Sequence, residues 1–163
     1  MYKRQIATGG SDAKLQRVLA YGADHVINTE HGFREQVKAL TGGRGADVIY
    51  DPVGGDIFDE STRCINFDGR LLIIGFTSGR IASVPTNIPL IKGFSVMGVR
   101  AGEYGRQFPE KGAENLQIIW DWVREEKTRP HVHAELPLSQ SVEGFRMLQQ
   151  REVIGKLVIC PDR

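Results

Sequence analysis

Residues 6–23 read IATGGSDAKLQRVLAYGA: a short apolar run, a glycine pair, then a helical pattern. Leu15, Val18 and Leu19 recur at i, i+3 and i+4, which gives one apolar helix face. Ser11 or Asp12 supplies the N-cap and Gly22 the C-cap. A strand that enters a glycine turn before a helix is the usual entry to a nucleotide-binding fold. The pyrophosphate turn of such folds is G-x-G-x-x-G, with the pyrophosphate at the next helix N-terminus. Here Ala13 and Lys14 follow Ser11-Asp12 without a third glycine, and the pattern occurs nowhere in the chain. "GGRGAD" at 42–47 comes before a strand, not after one. Gly9-Gly10 is therefore not a pyrophosphate turn.

The same punctuation continues downstream. "HVIN" reads as a strand, and "FREQVKAL" places Phe33, Val37 and Leu40 on one helical face before Thr41-Gly42-Gly43 ends it. "ADVIYD" is a buried strand, and "DIFDESTRCI" is a helix with Ile57, Phe58 and Ile65 as core. "GRLLIIG" has four apolar residues after a Gly-Arg turn, the pattern of a strand buried on both faces. A loop rich in Gly, Ser and Pro spans 76–89, and "FSVMGV" follows as another strand. "ENLQIIWDWVREEK" puts Leu116, Ile119, Trp120 and Val123 on one face. "HVHAELPL", "SVEGFRMLQQ" and the strand "GKLVIC" come last. Strands alternating with helices of about ten residues predict βαβ units. The expected fold is α/β: a Rossmann-like parallel sheet with flanking helices. The strict alternation stops near Arg129-Pro130, so residues 1–130 are expected to form the sheet domain and 131–163 a return segment. No internal repeat or low-complexity segment interrupts it.

Composition narrows the function. The chain has 163 residues, 40% hydrophobic and 25% charged, and a net charge of +1. Nothing in that balance points to nucleic acid or an anionic membrane surface. No apolar run approaches the roughly 20 residues of a membrane span, and no signal-peptide h-region follows the basic first residues. Cys64 and Cys160 lie far apart in apolar company, as expected of reduced thiols in a cytoplasmic protein.

In a doubly wound sheet, ligands sit at the carboxyl ends of the strands. Four such ends can be read: Thr8-Gly9-Gly10-Ser11, Asn28-Thr29, Asp51-Pro52-Val53-Gly54-Gly55 and Gly75-Phe76-Thr77-Ser78-Gly79. Glycine there lets backbone approach a flat or phosphorylated ligand. Each end alone is also what an ordinary strand-to-helix turn requires; four on one rim favour a ligand. Asp51 reads either as a catalytic acid or as a loop cap.

Three segments carry a resemblance: "GADHVINTEHGFREQVKALTGGRGADVIYDPVGGDIF", "GRLLIIGFTSGRI" and "RPHVHAELPLSQSVEGFRMLQQREVIGKLVI". In that order and spacing they resemble the C-terminal half of a medium-chain dehydrogenase/reductase. More narrowly, they resemble the zinc-free quinone oxidoreductase branch, often labelled zinc-binding dehydrogenase. The resemblance runs from about Ile6 to Cys160. It implies an N-terminal GroES-like catalytic domain, a first Rossmann strand and a glycine fingerprint ahead of residue 1. "IAT" then becomes the second strand. Met1-Tyr2-Lys3-Arg4-Gln5 does not look like the end of the first helix.

The resemblance also implies an NADP(H) site. Ser11 and Lys14 match the pair that binds the adenosine 2′-phosphate. An NAD-specific site usually has Asp or Glu at this strand tip; here a hydroxyl, an ammonium and a helix N-terminus lie close behind it. Asp12 counts against that reading unless it faces solvent and caps the helix, and Lys14 can also be read as a plain surface lysine. Thr29 stands where the family commonly has Tyr. Val53 and Gly54 match the loop beside the adenine ribose. Gly75, Phe76 and Ser78 match the segment beside the nicotinamide carboxamide. Arg151 and Lys156 match basic positions reaching the phosphates or the nicotinamide side, although a lysine opening a strand needs no such role. The strand at Phe94–Val99 is the one that often pairs across a dimer axis; otherwise it is a covered edge strand.

His131-x-His133 has strand-face spacing but no Cys or carboxylate cluster to complete a zinc set. No Ser, His and acid group together, so the catalytic residues stay unassigned. Trp120 and Trp122 read as packing and surface. Three functions are in view. One is the cofactor part of an NADPH-dependent quinone or enone oxidoreductase, inactive as an isolated piece. The others are a non-catalytic nucleotide- or partner-binding remnant, and a Rossmann-type methyltransferase. The last is weakened by an ending that does not suggest a terminal hairpin and by the lack of an acidic ribose ligand. A sheet without its central strand leaves unpaired edges, so marginal stability is expected of this chain.

Overall fold

The computed structural model describes residues 4–161; Met1, Tyr2 and Lys3 of the opening segment fall outside the described residues. The chain divides into two compact units, Met1–Ala101 and Gly102–Arg163.

The first unit opens with β1 (Ile6–Gly9), α1 (Asp12–Ala20) and β2 (His25–Asn28). β1 and β2 run parallel, Ile6 opposite His25 through Gly9 opposite Asn28. Leu15 is the one buried residue of α1. The helix stops at Tyr21, and Gly22 takes a φ of 102° just beyond it, the C-terminal glycine expected from sequence. Then come α2 (Arg34–Leu40), β3 (Ala46–Asp51), α3 (Gly55–Cys64), β4 (Ile65–Ile73), α4 (Asn87–Lys92) and β5 (Ser95–Gly98). β3, β4 and β5 form a parallel sheet in that order, with a register shift between Ala46 and Val48.

Parallel strands joined by helices confirm the α/β reading. The sheet nevertheless comes in two pieces. Among the described residues β1 pairs with β2 alone and β3 with β4 alone. Side chains join the pieces instead: Ile27, Phe33, Val37 and Cys64 form one buried cluster, with Ile6, Ala46, Ile49 and Ile57 packed against it. The Glu60 carboxylate of α3 adds a polar tie. Its Oε1 accepts from the backbone N–H of Phe33 at 2.8 Å and of Arg34 at 3.0 Å. A second cluster, Phe58, Ile65, Leu71 and Phe94, backs one face of the larger sheet. The opposite face is open. By register Tyr50, Leu72 and Met97 share it, and Tyr50 is 66% exposed.

The second unit holds α5 (Ala101–Gln107, which begins at the boundary residue), α6 (Pro109–Arg124), β6 (Val132–Pro137), a 3-10 turn at Leu138–Gln140, α7 (Ser141–Gln149) and β7 (Lys156–Cys160). β6 and β7 are parallel, so β6, α7 and β7 make a small βαβ unit. α7 rests Gly144 against Leu136, Leu157 and Ile159. The division at Ala101 precedes the change of character read at Arg129-Pro130, because α5 and α6 group with the β6–β7 unit.

Two helices were not legible in sequence. α4 takes up the end of the loop expected over 76–89; its Pro89 sits in the first turn, where no N–H is needed. α5 carries Gly102 and Gly105, poor helix formers that hide the pattern. The apolar stripe of α6 is real but not core. No residue of α6 is buried, and Leu116 and Trp120 are each more than half exposed.

Candidate functional site

The carboxyl ends of β3 and β4 are built together. Asp51 closes β3 and is 2% exposed. Its Oδ1 accepts from the backbone N–H of Val53 at 2.8 Å and of Gly54 at 2.9 Å. Of the two sequence readings of Asp51, loop cap is the one its bonds describe. The ladder then continues past the strands. Ile74 N–H donates to Asp51 O at 2.9 Å, Thr77 N–H to Pro52 O at 3.2 Å and Ser78 N–H to Val53 O at 3.0 Å. Gly54 and Gly55 have φ of 71° and 56°, backbone that side chains rarely adopt. A Cβ on Gly54 would come within 3.1 Å of the Phe76 ring, and one on Gly55 within 2.7 Å of Ser78 Oγ. Five expected residues, Val53, Gly54, Gly75, Phe76 and Ser78, thus belong to one rim of two mutually docked loops. Phe76 and Ser78 are exposed there.

Arg80 pins this rim from outside. Its Nη2 reaches Asp56 Oδ1 at 2.8 Å and Asp59 Oδ2 at 2.5 Å, both on α3. Its backbone N–H donates to Ser78 Oγ at 3.3 Å. Sequence reasoning passed over Arg80, because an exposed arginine in a Gly-Ser loop carries no signal. A hollow of about 340 Å³ lined by His31, Arg34, Asp56, Asp59, Glu60 and Arg63 lies beside α3. It takes in none of the expected cofactor residues. Three of its acids are already engaged by Arg80 or by backbone N–H groups.

The tip of β1 forms the second part. Ser11 is the N-cap of α1 in extended backbone, φ −141° and ψ 118°, yet its side chain makes no cap bond. Lys14 follows one turn on, half-buried. Across the rim, Asn28 Nδ2 donates to Asp12 Oδ1 at 2.6 Å, and Asn28 Oδ1 accepts from the backbone N–H of Glu30 at 3.0 Å. Asp12 is exposed, as the sequence reading required, but bonded to β2 rather than simply facing solvent. Thr29 N–H donates to Gly9 O at 2.9 Å and locks the two tips.

Arg151 and Lys156 belong to the second unit. Arg151 follows α7 with a φ of 58°, Lys156 opens β7, and both are exposed. Both fall in the unit that holds β6 and β7.

Elsewhere, burial shifts two ionisable groups. Burial pushes the Cys64 thiol up from 9.0 to about 11, helped by Glu60 and opposed by Lys92 and Lys38. Burial also lowers the Lys92 ammonium below its ordinary value; its Nζ donates to Thr62 O at 2.5 Å. His133 Nδ1 accepts from the backbone N–H of Ile154 at 3.4 Å.

Comparison with known proteins decides the lineage. A family model described as zinc-binding dehydrogenase matches residues 4–118, more than half of the chain. The chain belongs to the zinc-binding dehydrogenase family. Quinone oxidoreductase-like protein 2 of Bos taurus is 36% identical over 155 residues, covering 94% of this chain and 44% of the relative. Quinone oxidoreductase of Salmonella typhimurium is 40% identical over 162 residues, covering 96% and 49%. The solved structure of Escherichia coli quinone oxidoreductase complexed with NADPH superposes with a TM-score of 0.85 at 28% identity, covering 97% and 49%. The chain spans about half the length of the relatives it matches. Among the described residues no group of three or more His, Cys, Asp or Glu stands ready to hold a metal.

Proposed function

We propose that this zinc-binding dehydrogenase chain is the cofactor-holding part of an NADP(H)-dependent oxidoreductase that reduces a quinone or an enone-like small molecule. The observation that carries it is the doubly built rim: uncapped Ser11 with Lys14 at the tip of β1, and two docked glycine loops at the ends of β3 and β4. The chain's resemblance to NADPH-complexed quinone oxidoreductase supports it.

When bound, NADPH supplies the hydride; the chain's own residues bind and orient. In this reading Ser11 and Lys14 take the 2′-phosphate, the first through a hydroxyl not spent on its own helix. Val53 and Gly54, held by the Asp51 cap, would line the adenosine ribose. Gly75, Phe76 and Ser78 present the edge that meets the nicotinamide carboxamide. Arg151 and Lys156 are proposed as further basic contacts to the cofactor phosphates or nicotinamide side. Residues 131–163 would then serve as the segment that returns to a substrate domain. A homodimer through Phe94–Val99 and a cytoplasmic setting belong to the same proposal. β5 pairs with β4 alone among the described residues, and no described helix is long and apolar enough to cross a membrane.

The test is a titration of the chain with NADPH and with NADH, followed by amide chemical shifts. NADPH is expected to bind more tightly, with shifts at Ser11 and Lys14, and Lys14→Ala is expected to erase the preference. Equal affinity for the two cofactors removes the assignment. One observation favours a second reading, a non-catalytic nucleotide- or partner-binding piece: the sheet is divided between β1 and β3. Preferential NADPH binding without hydride transfer by any longer form of the protein would decide for it. The methyltransferase reading loses ground, since every strand pairing among the described residues is parallel.

A further inference from the structure

We infer that Asn28 is a positioning residue for 2′-phosphate selectivity, acting through Asp12; the inference rests on the NADP(H) site proposed above. Asp12 raises a difficulty that the sequence alone cannot resolve. It lies between Ser11 and Lys14, and a loose carboxylate there would repel a phosphate dianion and compete for the same helix amides. The structure shows where that carboxylate goes. Asn28, at the tip of β2, donates from Nδ2 to Asp12 Oδ1 at 2.6 Å. The amide cannot serve equally well turned over. Its Oδ1 is occupied by the backbone N–H of Glu30 at 3.0 Å, and a flip would set oxygen against carboxylate and N–H against N–H. The main chain therefore orients the Asn28 amide, and the amide holds Asp12 toward β2. Ser11, making no cap bond of its own, keeps its hydroxyl for a ligand. A chain with an acid beside its phosphate site can then still prefer the phosphorylated cofactor.

The experiment titrates the 163-residue chain with adenosine 2′,5′-bisphosphate and with 5′-AMP, by amide chemical shifts, and takes the ratio of the two affinities. The unaltered chain is expected to favour the bisphosphate. Asn28→Ala is expected to lower the ratio about three- to tenfold, the range of one ordinary net hydrogen bond, with 5′-AMP affinity unchanged. The double variant Asp12→Asn with Asn28→Ala is expected to restore the ratio, because no carboxylate is left to restrain. A merely structural role would weaken both nucleotides together and would not be rescued. Asp12→Asn alone, at an exposed position, is expected to keep the fold and raise the ratio, and a fall overturns the inference even if Asn28→Ala does not fold. An unchanged ratio in Asn28→Ala overturns the inference and leaves the site standing. Equal affinity of the unaltered chain for the two nucleotides, or none for either, overturns the site and the inference with it.

Discussion

Asp51 shows how much one side chain can organise. A buried carboxylate that accepts two backbone N–H bonds turns a glycine loop into a fixed surface, and removing it strands both donors. Asp51→Ala is expected to cost about 2 kcal/mol, read as a lowered urea midpoint, whereas Asp51→Asn keeps an acceptor and costs less. Cys64 makes a second prediction. Its thiol is held neutral in the fold to about 11, against 9.0 when free. A raised pKa stabilises the fold fully below 9.0, and that contribution is lost as pH climbs toward 11. Stability is therefore expected to fall across that window, and Cys64→Ala to flatten the slope, measured by denaturation at stepped pH. Both residues were legible to different degrees. Cys64 announced its burial by its apolar neighbours. Asp51 left two readings open, because a sequence names a carboxylate without saying which amides it meets. Asn28 stood at a recognised strand end, but its partner lay sixteen residues back across the rim.

At the scale of elements, the sequence pattern found most strands and most helices, but left the segment that forms β6 unassigned. It missed α5, where glycine is used for close approach: Gly105 and Gly112 bring α5 and α6 nearly backbone to backbone. It also found the apolar face of α6, which the structure leaves largely exposed, because amphipathicity reports an apolar face and not what covers it. The joint between α2 and β3 is stricter. Gly45 has a φ of 93°, and a Cβ there would lie 2.5 Å from Cys64 O, a backbone atom that cannot step aside. Gly45→Ala is expected to cost about 3 kcal/mol or more, combining left-handed strain with the clash. A Tm shift relative to Gly22→Ala, which meets open space, would isolate the clash.

For the whole molecule the divided sheet governs behaviour. Among the described residues β1 and β3 each keep an unpaired edge, and the larger sheet leaves Tyr50 and Met97 open to water. The isolated chain is expected to bind a hydrophobic dye such as ANS, to melt over a broad range, and to transfer little or no hydride from NADPH to a quinone. A sharp calorimetric transition, or ready hydride transfer to a quinone, would contradict this. The family was readable from ordered motifs, and with it the break in the sheet; the side-chain joint between the halves was not, because contacts between distant residues leave no local trace.

The joint between the two half-sheets also sets a response to cold. Strand ladders are held by directional hydrogen bonds, whereas Ile27, Phe33, Val37 and Cys64 hold the halves together mainly by exclusion of water. That attraction weakens on cooling while the ladders persist. Chilling should therefore loosen the halves from one another before either comes apart, leaving the bond between Glu60 and the α2 amides as the last tether.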